Sequence, residues 1–146
     1  MLAKDFFSRS GLILALSLVV GFILVVDAYR GYFSVTSYFL PFLMYIWLPQ
    51  LAVVGVLLFF RPKMIFLAGV SLAMDIYLAV LTRLALAEAA FWVTYLSSFL
   101  GIFLGAYAGL MFLRMQQKKQ LWLTFVSGFL GTGLGILAGF LLLVRL

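Results

Sequence analysis

The chain has 146 residues, 67% of them hydrophobic and only 10% charged, with a formal net charge of +6. A soluble domain carries about 45–50% apolar and about 25% charged residues, so a water-exposed globule of this composition would present large apolar patches that drive association. Cysteine and histidine are absent, which excludes disulfides, thiolate catalysis, His-ligated haem and the usual zinc sites.

Five apolar runs predict a single all-α domain over residues 1–146, a polytopic membrane bundle of five transmembrane helices. Each run is about 17–24 residues long, and about 20 are needed to cross the hydrocarbon at 1.5 Å per residue. None alternates with a period of two, which argues against barrel strands. The first run covers about residues 10–26. It has the outline of a secretory signal peptide, with Lys4 and Arg9 before it and a small-residue site ending Val26-Asp27-Ala28. The apolar stretch is long for such a segment, and the expectation is that it stays as a helix.

A loop is expected from Asp27 to Thr36, with Tyr29, Tyr32 and Phe33 as interfacial aromatics and Asp27 spaced to pair with Arg30. The second helix is predicted over about 37–60. It contains Pro41 and Pro49, which remove backbone donors and predict a kink, and Gln50 beside the second proline. Trp47 near its middle is expected to pack or to face lipid. The turn Arg61-Pro62-Lys63 forces an antiparallel hairpin into a third helix, about 64–82. The fourth is expected over about 91–113 and the fifth over about 121–144, with Trp92 and Trp122 as interfacial anchors.

Sidedness follows from the basic residues. Lys4, Arg9, Arg61, Lys63, Arg114, Lys118 and Lys119 fall on one side, and Arg30, Arg83 and Arg145 on the other. The positive-inside tendency then places the N-terminus in the cytoplasm and the C-terminus outside, in a bacterial inner (cytoplasmic) membrane.

Asp75 is the most informative single residue, because it stands about 16 Å into the third helix. A carboxylate at mid-bilayer costs about 2.5–3.5 kcal/mol on insertion scales. Ala68, Ser71, Asp75, Ala79 and Thr82 recur at spacings of three and four, so this face should point into the bundle. Asp75, Ser71, Gln50 and Ser98 form the candidate polar site. One reading makes Asp75 a proton or cation site; the other has it hold the bundle in register through Ser97, Ser98 or Tyr77. The proline break in the second helix would free carbonyls near such a site.

Helix four carries Gly101, Gly105 and Gly109, and helix five carries Gly131, Gly135 and Gly139. Glycine at every fourth position clears one helix face and predicts close packing, within the chain or between chains. No nucleophile elbow, carboxylate dyad or phosphate loop is present, and no cofactor or metal is expected. The expected partners are the lipid bilayer and another membrane protein or a second copy; without a basic stripe, nucleic acid is not expected. Two functions follow from these residues. One is a non-catalytic binding or accessory module; the other is a small oligomeric ion or solute transporter or channel that uses Asp75.

Overall fold

The computed structural model describes residues 8–32, 39–85, 90–115 and 120–144. These are helical apart from short turns, and among them there is no strand. The helices are α1 (Arg9–Tyr32), α2 (Phe39–Leu58), α3 (Met64–Ala85), α4 (Ala90–Met115) and α5 (Leu121–Val144). All five are long and apolar enough to cross a membrane. Phe33, Glu88, Lys118, Lys119 and Arg145 lie outside the described residues, as do the side chains of Tyr32, Trp92, Thr94 and Ser97.

Local chemistry sets the helix ends. Ser8 caps α1, accepting from the Gly11 N–H on its Oγ at 3.3 Å and from the Leu12 N–H on its carbonyl at 3.0 Å. The other end of α1 runs past Val26 to Tyr32, so Asp27 and Arg30 are exposed on its last turns instead of in a loop. The polar residues that suggested a loop line the solvent side of the helix, while Ala28 and Tyr29 between them are buried. Tyr29 therefore packs inside the bundle, edge-on to Phe39 at 5.1 Å.

Pro41 sits in the first turn of α2, where the amide it lacks has no helical acceptor, so only Pro49 interrupts the helix interior. The C-terminal end of α2 tightens through bonds from the Phe59, Phe60 and Arg61 amides to carbonyls three residues back, at 2.9–3.1 Å. Arg61 then takes a left-handed φ of 50°, which lets Pro62 and Lys63 lead directly into α3.

The central helix is α3. Of its span, 72% is buried, against 28–33% for each of the other four. It is flanked by α1 on one side and α5 on the other, with α4 packed along α5 and α2 lying against α1 and α3. Two glycines bring α3 and α5 to backbone contact: a Cβ on Gly69 would meet the Phe125 carbonyl, and one on Gly128 would meet the Phe66 carbonyl. The buried side chains form two apolar clusters. One contains Leu14, Val53, Leu57, Phe66, Leu67 and Ile102, the other Val25, Tyr29, Ile46, Leu78 and Tyr95. On α1, α2 and α3 alike, a polar layer lies between them.

Candidate functional site

That layer is built from one position on each of three helices. The face of α1 that turns inward repeats every three or four residues: Leu14, Ser17, Gly21, Val25 and Ala28 are all buried. On α2 the corresponding level is Gln50, between Val53 and Ile46, and on α3 it is Asp75, between Ser71 and Leu78.

Asp75 is 2% exposed and both its oxygens are used. Ser17 Oγ donates to Oδ2 at 2.9 Å, and Gln50 Nε2 donates to Oδ1. The same Gln50 nitrogen lies 3.5 Å from the Ser71 carbonyl, a weak second interaction. Gly21 makes the arrangement possible. A Cβ there would collide with Asp75 Oδ1 and with both ends of the Gln50 amide, so the bare backbone of α1 is what lets the carboxylate and the amide meet. Two buried acceptors remain without a hydrogen-bond partner beside this carboxylate: Gln50 Oε1 and Ser71 Oγ.

Of the residues singled out in the sequence, Asp75, Gln50 and Ser71 come together. Ser98 does not join them. It is fully buried on α4, donates to the Tyr95 carbonyl of its own helix at 2.6 Å, and stands within hydrogen-bonding reach of Tyr77. Tyr77 and Tyr95 stack with centroids 6.2 Å apart, and the Tyr95 hydroxyl donates to the Ile46 carbonyl at 2.6 Å, within a turn of Pro49. This second set ties α4 to α2 and α3. Trp47 packs inward on α1, edge-on to Phe22 at 5.4 Å with its Nε1 donating to the Leu18 carbonyl at 3.4 Å.

The carboxylate's hydroxyl partner is thus Ser17 on α1, not a hydroxyl on α4. Ser17 and Gly21 were missed because one serine and one glycine in an apolar run carry no motif. Their spacing of four on the buried face of α1 is the signal that could have found them.

The glycine stripes form a separate feature. A Cβ on Gly101 would meet the Gly135 carbonyl, one on Gly105 the Gly131 carbonyl, and one on Gly109 the Ser127 carbonyl, so α4 and α5 run antiparallel in backbone contact. Gly139 comes up against Ser98 and Gly101 at the far end. Ser127 Oγ closes the near end by donating to the Gly109 carbonyl at 2.8 Å. Both stripes are therefore occupied within the chain.

Gly21 offers a direct test of the polar layer. Gly21→Val is expected to separate Gln50 from Asp75 and to lower stability by about 2 kcal/mol, in the range for overpacking a close site. In an Asp75→Ala background, where the space has opened, the same substitution should cost less than half as much. Equal costs in the two backgrounds, read from unfolding midpoints in detergent, would separate Gly21 from the carboxylate.

No protein-family model, curated protein or solved structure matches this chain.

Proposed function

We propose that the chain is a small integral membrane protein without catalytic apparatus, a binding or accessory module that packs in the bilayer against another membrane protein or a second copy of itself. Its five helices cross a bacterial inner membrane with the N-terminus in the cytoplasm and the C-terminus outside. The asymmetry of basic residues supports that orientation, since both Arg61 and Lys63 stand in the tight turn between α2 and α3.

The observation that carries the module reading is how Asp75 is engaged. Its carboxyl oxygens are both taken by side chains of neighbouring helices, Ser17 and Gln50, as expected for a polar group that pins helices in register. The pairing of the glycine stripes inside the chain moves the expected docking surface elsewhere. Exposed apolar side chains on the outer faces of α1 and α2 (Leu12, Leu16, Leu40, Met44) and of α4 and α5 (Leu100, Leu104, Leu134, Leu137) are the surfaces left for lipid or a partner.

A specific observation favours a second reading, a small oligomeric transporter or channel with Asp75 as a proton or cation site. Gln50 Oε1 and Ser71 Oγ are buried, unpaired acceptors next to the carboxylate, and intramembrane ionisable groups commonly serve ion pathways. Proton or cation flux into liposomes separates the two. The module reading expects no flux above empty vesicles from the natural protein, and a membrane partner or a dimer after cross-linking. Flux that vanishes in Asp75→Asn while the fold is retained would replace it with the transporter reading.

A further inference from the structure

At the end of the bundle where α2 and α4 finish and α3 and α5 begin, a cavity of about 130 Å³ opens between the helix ends. Its floor is apolar, with Phe66, Leu110 and Leu113 buried, and Phe60 forms one wall. Its rim carries three cations, Arg61, Lys63 and Arg114, all exposed, and among the described residues no carboxylate lines it. We infer that this cavity binds the phosphate headgroup of an anionic phospholipid, with the start of an acyl chain against Phe60 and Phe66.

Three features beyond the charge point to this ligand. Arg114 spends one Nη2 donor on the Phe60 carbonyl at 2.9 Å, which fixes the guanidinium at the cavity mouth and leaves donors in its planar fork for phosphate oxygens. Arg61 holds its cation at the rim through a left-handed backbone, at φ 50°, where glycine would be the unstrained residue. A left-handed residue is also how helices commonly end, so the close of α2 itself fixes where the Arg61 side chain leaves the backbone. The combination of a cationic rim over an apolar floor at a helix end also matches a lipid better than free phosphate, which has no use for the floor. Basic pockets between helices on the cytoplasmic side of membranes bind anionic headgroups by the same chemistry.

The inference rests on the proposed membrane insertion, so the test begins with flotation of the protein on neutral phosphatidylcholine vesicles; failure there sinks the membrane reading and not the headgroup site alone. The purified full chain is then equilibrated with mixed phosphatidylglycerol and phosphatidylcholine, and retained lipid is measured by native mass spectrometry. The natural protein should favour phosphatidylglycerol, and Arg61→Gln with Lys63→Gln should reduce the preference about 25-fold, or about fivefold per cation. Arg61→Gly, which the backbone accepts more readily than arginine, keeps the test open if the double variant misfolds, and should reduce it about fivefold. Arg30→Gln, at the opposite end, should leave it unchanged. An equal loss in Arg30→Gln would reduce the preference to diffuse surface charge and overturn the site. Full displacement of phosphatidylglycerol by millimolar inorganic phosphate would overturn the lipid as its ligand.

Discussion

Replacing Gly135 by leucine is expected to remove more than about 4 kcal/mol of stability, enough to abolish cooperative unfolding of the purified protein. A Cβ at this position would enter the Gly101 carbonyl and crowd the Gly105 backbone, so α4 and α5 would have to separate along most of their shared face. Backbone cannot step aside as a flexible side chain can, and losses of this size arise from such core clashes. In lipid the penalty is not softened by a hydrophobic drive, because helix association there depends on close dispersion contacts that the separation forfeits. Gly133→Leu is the control on the same helix. Nothing lies within 4 Å of a Cβ at Gly133, and the change should alter stability by less than about 1 kcal/mol, with helix propensity favouring the variant. Circular dichroism during thermal and denaturant unfolding in detergent measures both. Similar losses at the two glycines would deny the backbone contact between α4 and α5 its role.

The second large effect is expected at Asp75, and its size depends on the substitute. Asp75→Ala strands the Ser17 hydroxyl and the Gln50 amide, both buried. Each orphaned group costs about 1–3 kcal/mol in a soluble core, while interhelical hydrogen bonds in membranes average about 0.6 kcal/mol because the separated helices find other partners. The membrane figure sets the lower bound here, and a loss of about 2 kcal/mol is expected. Asp75→Asn keeps an acceptor for Ser17, and its new NH2 can donate to Gln50 Oε1 once the Gln50 amide turns over, so it should cost less than about 1 kcal/mol. Asp75→Leu combined with Gln50→Leu and Ser17→Ala should recover most of the alanine loss, since replacing every member of a buried polar set by apolar groups is often close to neutral. A double-mutant cycle on unfolding free energies measures the coupling. Asparagine as damaging as alanine would show that the charge itself, and not the bonding pattern, holds the layer.

The apolar runs made the five helices legible, because composition and length alone separate them. Their ends were less so. The sequence Asp27-Ala-Tyr-Arg30 reads as a loop by polarity, yet it continues α1 because its apolar members face inward and its charges outward. Pro41 reads as a break until the helix start is known to lie two residues before it. Within the site, Asp75 and Gln50 were visible as rare polar groups in apolar runs. Which hydroxyl would meet the carboxylate was not visible, since it depends on the rotation of α1 against α3 and on the absence of a side chain at Gly21. The cationic cavity was hidden for a related reason: Arg61 and Arg114 are 53 positions apart and meet only because α2 and α4 end at the same level.

The burial of α3 has a consequence for how the chain comes together. The two neighbours that cover most of it, α1 and α5, stand at opposite ends of the five-helix order. Each helix can form from nearby residues alone, but the sheath around the third needs pairings across nearly the full length of the polypeptide. Until residues 121–144 emerge, the furrow at Gly69 lacks the Phe125 backbone that fills it, so the packing of α3 waits for α5.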